Sequence, residues 1–386
     1  MKRILFKSGH IGFGGVERTQ VEYINYLHSI NADFKLVLDK EIEEQYVMNS
    51  IDCCPLIYLK SKNDMAELEN ARNNKNISLL YKIKYNLALS KERGIAKRNF
   101  ANIVKDFKPE IAINYHNDYH FNLNVLKNSK NIIWVHSAIV SNWRPLKSAM
   151  KFIKKISKYD LIVCVSKGAM EEIIELKPTL KHKTTYLYNP INFEKIIQLS
   201  DEKFTNDEIN LANEKFLLMV SRIDTVSKNY PTLFKAFDIA KDNGYDGKLY
   251  VVGGGNINDV AIVKDLLNKS KYKDEIKLLG NKINPFNWMK RCDKFILSTN
   301  FEGLPTVLLE ALAVNDTVIS ADCRTGPNEI LDNGKYGYLF PVGDASELAK
   351  LIMEAKPKDR SEINSHLLQF SPTVVLQKFN NILNEI

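Results

Sequence analysis

The feature that most constrains the fold is a repeated alternation of short apolar strands with helical segments. The chain begins with the apolar segment RILFKSG (3–9), followed by a glycine-rich turn, the segment QVEYINYLHSI and a second apolar run, FKLVLD. Val21, Ile24 and Leu27 recur about one helical turn apart, which is typical of a helix packed on one side. The order strand, loop, helix, strand predicts a parallel sheet.

The same alternation continues and then restarts in the second half of the chain. Further strands are predicted in the first half at 110–115, 131–136 and 160–166, and in the second half at 215–221, 248–254, 276–280, 294–299 and 316–322. Helices are predicted at 230–242 and 260–270. Continuous apolar strands separated by helices favour parallel sheets covered on both faces, so the sequence predicts an α/β protein with two doubly wound domains.

The domain limits follow from the length and from one break in the pattern. A chain of 386 residues is too long for a single compact core. Asn189-Pro190 interrupts the chain after a strand, which places an N-terminal domain at 1–188 and a C-terminal domain at 189–370. A terminal helix at 371–386 is expected to pack back on the N-terminal domain. Ligands of such sheets bind beyond the carboxyl ends of the strands, so we expect a site in the cleft between the domains.

Composition excludes several classes of protein. Hydrophobic residues make up 45% and charged residues 26%, as in soluble globular proteins, and no run of ~18 apolar residues is present. The apolar run at the N-terminus stops at Lys7, too short for a signal peptide, so a cytoplasmic protein is expected. The five cysteines show no CxxC spacing and the histidines no HExxH, so free thiols and no metal site are expected.

The stretch NFEGLPTVLLEALAV (300–314) carries the strongest chemical signal. Glu302 lies in a loop after a strand, and Glu310 lies within the helix that follows. The backbone amides around Pro305 at the start of this helix suit a phosphate; they belong to Gly303, Leu304, Thr306 and Val307. Glu310 is placed to hold two adjacent hydroxyls and Glu302 to hold a sugar. The alternative is a structural buried glutamate paired with a core Arg or Lys.

Two cations precede this stretch in SRIDTVSKNYP (221–231). Arg222 follows a strand and Lys228 begins the next helix, where the pair can neutralise a pyrophosphate leaving group. The alternative is a pair of solvated surface charges. VVGGGNIND (251–259) can pass beneath a nucleoside, and Ile283 can touch a nucleobase, although both segments can also be connecting loops.

A glycine-rich turn, GFGGVER, joins the first strand to the first helix. Gly12, Gly14 and Gly15 let the backbone approach a ligand at the N-terminus of that helix. Glu17 stands where GxGxxG would require a third glycine, and the GK[ST] of a P-loop is absent. A tight strand-to-helix turn without a ligand is the alternative.

Together these residues resemble the retaining glycosyltransferases of family 4, which have the GT-B fold. FEGLPTVLLEAL is similar to the EX7E motif of that family, and Arg222 and Lys228 match its Arg/Lys pair in spacing. GFGGVER resembles its glycine loop, WVHS places His136 at the position of its active-site histidine, and residues 325–352 resemble the segment after EX7E. The resemblance spans nearly the whole chain and is best in the C-terminal half.

The resemblance implies a role for each of these residues. Glu302 would contact the donor sugar, Glu310 the ribose hydroxyls, and His136 the sugar and acceptor. Arg222, Lys228 and the amides of Leu304–Val307 would hold the diphosphate, while Gly14 and Gly15 would close the site. The family needs no metal or other cofactor. A nucleotide-sugar is the expected donor, with UDP-hexose or UDP-N-acetylhexosamine favoured because such donors are common in the family.

The first half of the chain also carries an excess of positive charge. Residues 1–188 contain 30 Lys and Arg against 19 Asp and Glu. Basic residues cluster at 82–98 and 147–158, which suits an anionic inner-membrane surface and a lipid-linked or cell-surface glycan acceptor, or else a solvated helix face. A phosphorylase, an epimerase and a non-catalytic partner subunit remain alternatives. No recognition motif supports nucleic-acid binding.

Overall fold

The computed structural model describes residues 2–9, 11, 14–39, 41, 51, 56–74, 78–117, 121–140 and 146–386. Gly12, Cys53 and Cys54, to which the sequence analysis refers, lie outside these ranges. Cys164, Cys292 and Cys323 are buried free thiols, as the sequence predicts.

A seven-stranded parallel sheet organises the first half of the chain. Its strands lie in the spatial order β3-β2-β1-β4-β5-β6-β7. In chain order they are β1 (Ile4–Ser8), β2 (Phe34–Leu38), β3 (Leu56–Tyr58), β4 (Ile111–Asn114), β5 (Lys130–Val135), β6 (Leu161–Cys164) and β7 (Thr184–Tyr186). The register is set by pairs such as Ile4 with Phe34 and Ile4 with Ile111. The order reverses between β1 and β4, which creates the crevice in which doubly wound sheets bind ligands.

Helices cover both faces of this sheet. They are α1 (Gly15–Ser29), α3 (Leu79–Phe107), α4 (Leu146–Ile156) and α5 (Lys167–Leu176), and α2 (Lys62–Asn74) packs on α3. Alternate strand residues separate the two faces: Phe6 packs with α1, whereas Leu5 packs with α3, α4 and α5. The continuous apolar strands of the sequence therefore reflect burial on both sides, as expected for a parallel sheet.

A second parallel sheet, of six strands, organises the second half. Its order is β10-β9-β8-β11-β12-β13. The strands are β8 (Phe216–Val220), β9 (Lys248–Val252), β10 (Ile276–Gly280), β11 (Lys294–Leu297), β12 (Val318–Ala321) and β13 (Tyr338–Phe340). The order reverses between β8 and β11, so this sheet also has a crevice at the carboxyl ends of its strands.

The remaining helices surround the second sheet and connect it to the first. They are α6 (Phe193–Ser200), α7 (Asn206–Ala212), α8 (Tyr230–Asp242), α9 (Ile257–Asn268), α10 (Phe286–Arg291), α11 (Thr306–Val314), α12 (Pro327–Ile330), α13 (Ala345–Glu354), α14 (Arg360–Leu367) and α15 (Pro372–Glu385). One continuous cluster of buried apolar side chains extends from the α1 face of the first sheet to the inner face of the second.

The C-terminal helix α15 lies against the first sheet rather than the second. Phe379 packs edge-on against Tyr23 of α1 at 4.9 Å and against Trp134 of β5 at 6.0 Å between ring centroids. The Lys2 ammonium donates to the Leu383 carbonyl at 3.0 Å, close to the end of the helix. The chain therefore returns to its first strand after completing the second sheet.

The predicted fold class, two doubly wound parallel sheets, is confirmed. Every strand segment predicted from the sequence contains an observed strand. The apolar pattern does not predict β3 and β13, and it places a strand before Asn189, where β7 lies, without giving its bounds. All three are only three residues long and lie at sheet edges. Among the described residues, no helix combines the length and apolarity needed to cross a bilayer.

Candidate functional site between the two sheets

The loop that carries Glu302 follows β11 and is held by main-chain pairing with the loop after β8. The backbone N–H of Asn300 donates to the Ser227 carbonyl at 2.8 Å, and the backbone N–H of Asn229 donates to the Ser298 carbonyl at 3.1 Å. Thr299 adds a hydroxyl bond to the Ser227 carbonyl at 2.8 Å. These bonds fix the two loops side by side at the carboxyl ends of neighbouring strands.

This pairing places the Lys228 ammonium in direct contact with the Glu302 carboxylate. The Thr299 hydroxyl oxygen also lies 2.9 Å from the same carboxylate oxygen. Both charged side chains are largely buried, so their attraction is weakly screened by water. The structure therefore brings together two residues that are 74 positions apart and that the sequence assigns to one site.

Arg222, the other member of the predicted cation pair, has a different environment. Its side chain is 78% exposed and contacts the Asp224 carboxylate at 3.2 Å. Lys228 thus lies at the carboxylate of Glu302, whereas Arg222 lies at the edge of the same loop, facing solvent. Ile283, the predicted nucleobase contact, is fully exposed.

The helix α11 begins directly after the Glu302 loop. Pro305 precedes it in an extended conformation. The Leu308 amide donates to the Pro305 carbonyl at 3.0 Å, which leaves the amides of Thr306 and Val307 as the first-turn donors without an intrahelical acceptor. Thr306 and Leu304 are buried, as is most of the helix. The positive end of the helix dipole therefore lies a few residues after Glu302, whose carboxylate contacts Lys228, in a region suited to a phosphate group.

Glu310 lies on the second turn of α11 and is buried. Burial raises the pKa of its carboxyl, and the nearby Arg18 guanidinium opposes that rise. The Arg18 guanidinium lies 3.3 Å from a Glu310 oxygen and 5.6 Å from the centroid of the Phe286 ring. Because Arg18 belongs to α1, this ion pair joins the two sides of the cleft.

The glycine-rich turn of the first domain packs onto the same helix start. A Cβ atom on Gly15 would lie 2.3 Å from the Thr306 hydroxyl, closer than real Cβ contacts. Gly14 precedes α1, and its carbonyl accepts the Arg18 amide at 3.0 Å. The absence of side chains at this turn is therefore what allows α1 and α11 to meet.

A second close approach joins the loop after β5 to the Glu302 loop. A Cβ on Gly303 would lie 2.1 Å from the His136 carbonyl oxygen, so only glycine fits between these two stretches of backbone. The Ala138 amide donates to the Glu302 carbonyl at 3.2 Å, and the Thr325 hydroxyl donates to it at 2.5 Å. The main chain of Glu302 is thus fixed from both domains.

His136 lies directly after β5, and its side chain is partly buried. Its Nε2 is 2.7 Å from the Tyr115 carbonyl, which can only accept, so Nε2 carries the proton. Nδ1 is buried and has no hydrogen-bond partner among the described residues. Burial lowers the pKa of His136 to about 3, and the neighbouring His116 acts in the same direction. The imidazole is neutral near pH 7, with an acceptor lone pair on Nδ1.

Two contacts of the site were not predicted from the sequence. Arg18 is part of the quoted GFGGVER, but its partner is 292 positions away and no local pattern reveals it. Thr325 lies in the TGPNEI segment, and the resemblance carried no role for it. In the described part of the chain, no group of three or more His, Cys, Asp or Glu side chains is arranged to hold a metal ion.

Known proteins resemble this chain in sequence and in fold. Residues 201–364 match the family described as glycosyl transferases group 1. The full chain superposes on an Anabaena protein crystallised with UDP and glucose, with a TM-score of 0.71 and 15% identity, covering 100% of both chains. The fold is GT-B.

Two curated relatives share higher sequence identity over part of their length. An uncharacterized glycosyltransferase of Methanocaldococcus jannaschii is 30% identical over 254 residues, which is 61% of this chain and 62% of that protein. A Campylobacter jejuni N-acetylgalactosaminyltransferase that acts on a diphospho-undecaprenol-linked saccharide is 31% identical over 193 residues, 50% of this chain and 49% of that protein. The chain thus matches less than two thirds of either relative.

Proposed function

We propose that the chain is a retaining, metal-independent glycosyltransferase of family 4. It transfers a sugar, a hexose or an N-acetylhexosamine, from a UDP-sugar to a lipid-linked or cell-surface glycan. The observation that carries this proposal is the contact of Lys228 with Glu302 at the start of α11, with Glu310 buried behind it. The match of residues 201–364 and the saccharide-transferring relatives support the same class of reaction.

In this proposal the leaving diphosphate lies at the N-terminus of α11. Lys228 and the first-turn amides neutralise the charge that develops as the bond from the sugar to the phosphate oxygen breaks. Arg222 swings from its exposed position to the outer phosphate, which its long side chain allows. These groups do the work that a metal ion performs in other transferases.

The two glutamates then serve different parts of the donor. Glu310, whose carboxyl is paired with Arg18, accepts hydrogen bonds from both ribose hydroxyls, because a carboxylate has two acceptor oxygens. The Glu302 carboxylate contacts Lys228 through one oxygen. In this proposal it accepts hydrogen bonds from hydroxyls of the transferred sugar. His136 lies across the cleft, where its Nδ1 lone pair accepts a hydrogen bond from a hydroxyl of the sugar or of the acceptor.

The proposal that the acceptor is lipid-linked is supported by positive charge on the N-terminal domain. Helices α3 and α4 contain most of the two basic segments, 82–98 and 147–158. Such charge attracts anionic lipids, and the Campylobacter jejuni relative is named for a diphospho-undecaprenol-linked substrate. We therefore propose a peripheral protein on the inner leaflet of the cytoplasmic membrane.

The experiment that tests the donor site is thermal stabilisation by nucleotides. UDP, GDP and ADP, with their matched sugar nucleotides, are added to the wild type, to Glu310→Ala and to the control Glu385→Ala at the far end of α15. A ligand that binds only the folded state raises Tm by mass action. We expect a UDP-specific shift that Glu310→Ala loses and Glu385→Ala keeps. Absence of any shift in the wild type would overturn the donor assignment and favour a non-catalytic partner subunit.

A further inference from the structure

The first nine residues of α3 expose an unusual number of large apolar side chains. Leu79 is 74% exposed, Leu80 60%, Ile83 48% and Leu87 66%. Single exposed leucines are common on soluble proteins and need no explanation. Four within nine residues form a contiguous patch, and such patches mark contacts with membranes or other proteins.

These four residues lie on one side of the helix, opposite the side that packs on the protein. At about 100° per residue, they fall within an arc of about 100°. The buried positions Ala88, Glu92 and Ala96 fall on the far side of the same helix. The apolar arc therefore faces away from the sheet, and Leu87 at its edge borders the groove between α2 and α3.

The helix geometry places this patch beyond the edge of the first sheet. Helix α3 leads into β4 and spans about 43 Å, whereas a four-residue strand spans about 13 Å. Phe100 and Phe107 in its C-terminal part pack on the sheet, and the Asn99 amide group donates to the carbonyl of Leu59, the residue directly after β3, at 2.9 Å. The first turns of α3, residues 79–87, thus project past the carboxyl edge of the sheet, the edge that faces the cleft.

Helix α4 begins at the same edge of the sheet and on the same face as α3. It leads into the parallel strand β6, so its N-terminus also lies at the carboxyl edge of the sheet, and it packs in the same apolar cluster as the core-facing side of α3. Leu146 and Met150 are exposed on its first turns, while Ala149 and Ile153 are buried. Two helix ends with exposed apolar side chains therefore lie on one side of the cleft opening.

The charges around these side chains indicate which partner they fit. Lys82 and Lys84 flank the apolar arc of α3, and α4 contains four lysines and no acidic residue. The acidic residue of segment 79–98, Glu92, is buried in an ion pair with Lys60 at 2.5 Å. Apolar side chains bordered by lysines are the pattern of helices that lie in the headgroup region of an anionic bilayer.

We propose that Leu79, Leu80, Ile83 and Leu87 insert into an anionic bilayer at the rim of the cleft, with the neighbouring lysines at the headgroups. The proposed function attributes membrane binding to positive charge alone. The insertion proposed here adds four apolar side chains and one edge of the protein as the membrane-binding surface. It rests on the proposed function for the nature of the acceptor. The cleft then opens along the membrane surface, where a lipid-linked acceptor enters sideways.

The test is flotation of the full chain with vesicles of phosphatidylglycerol and phosphatidylcholine. The variant Leu80→Gln/Leu87→Gln removes two exposed side chains from the arc and keeps a helix-compatible sequence. Its control, Ile262→Gln/Leu368→Gln, removes two exposed apolar side chains from the second half of the chain. We expect the first variant to partition at least about tenfold less than the wild type, since two apolar side chains then no longer leave water on insertion, and the control to partition equally.

A tryptophan placed within the apolar arc distinguishes insertion into the bilayer from electrostatic attraction to its surface. The variant Ile83→Trp is expected to show a blue-shifted tryptophan emission with anionic vesicles and quenching by brominated acyl chains. Flotation of the leucine variant at the wild-type level, or an unshifted emission from Ile83→Trp, would overturn the proposal. So would a wild type that forms dimers by light scattering, loses them in the leucine variant and does not bind vesicles, because the patch would then join two copies.

Nucleotide stabilisation distinguishes this proposal from the proposed function. A UDP shift in the wild type without vesicle binding would refute the membrane surface and leave the transferase intact. Vesicle binding that depends on Leu80 and Leu87, without any nucleotide shift, would support the surface and refute the donor site.

Discussion

The Arg18 guanidinium and the Glu310 carboxylate form an ion pair of 3.3 Å across the cleft. Arg18 is on the first helix of one domain, and Glu310 is buried on the second turn of α11 in the other. Burial disfavours the charged form of Glu310, and Arg18 opposes that effect. The ionisation of a residue at the proposed ribose site thus depends on contact between the two domains.

Replacement of Arg18 by Gln is expected to shift the acid limb of UDP binding to higher pH. Without the guanidinium, the buried carboxyl of Glu310 has a still higher pKa and takes up a proton at a pH where the wild type is ionised. Titration of the UDP dissociation constant from about pH 5 to about pH 8 measures this shift, a range that brackets a raised carboxyl pKa. The partner variant Glu310→Gln is expected to bind weakly and to keep only the acid limb that comes from the phosphate of UDP, whose second pKa is about 6. An unchanged limb in Arg18→Gln would contradict the coupling.

Replacement of Gly15 by Ala is expected to separate α1 from α11. The new Cβ would lie 2.3 Å from the Thr306 hydroxyl, and overpacking of this kind costs about 1–3 kcal/mol. Transfer activity, measured as kcat/KM, is expected to fall about tenfold or more. The double variant Gly15→Ala/Thr306→Ala should recover much of this loss relative to Thr306→Ala alone, because the nearest remaining Thr306 atom is the Cβ at 3.5 Å. Equal losses with and without Thr306 would refute the steric explanation.

Replacement of Gly94 by Ala tests the long helix α3 without touching the site. A Cβ on Gly94 would meet nothing within 4 Å, and the residue lies in the interior of the helix. Alanine is favoured over glycine there by about 1 kcal/mol, so the free energy of unfolding should rise by about that amount. Urea denaturation measures the change, with nucleotide binding as the control. A loss of stability would show that the helix is not continuous at this point.

The sequence predicts the fold better than it predicts the geometry of the site. Buried strands of a parallel sheet are continuous apolar runs, and this local signal is enough for most of the strands. The short edge strands β3, β7 and β13 carry too few residues for such a signal. The Glu302–Lys228 contact follows from two motifs together, but the Arg18–Glu310 pair depends on how two domains meet. The exposed side chain of Arg222 depends on one rotamer choice at a loop edge, which sequence does not encode.

His136 is expected to make the protein less stable in acid. The folded chain keeps this imidazole neutral down to its lowered pKa of about 3, whereas the unfolded chain takes up a proton near its ordinary value of about 6.5. The unfolded state therefore binds more protons in this window, and the free energy of unfolding falls as pH falls, by at most about 1.4 kcal/mol per pH unit from this group. The groups facing it are His116, Tyr115 and Glu17.

The measurement is urea unfolding at several pH values between about 4 and about 7, for the wild type and His136→Gln, a range that lies between the two pKa values of the imidazole. The glutamine amide can still donate to the Tyr115 carbonyl, so the hydrogen bond of Nε2 is replaced while the titrating group is removed. We expect a shallower dependence of stability on pH in this variant. His182→Gln, which changes an exposed histidine, should keep the wild-type slope. A slope unaffected by His136→Gln would mean that the imidazole is not held neutral, and the acceptor lone pair assigned to Nδ1 would lose its basis.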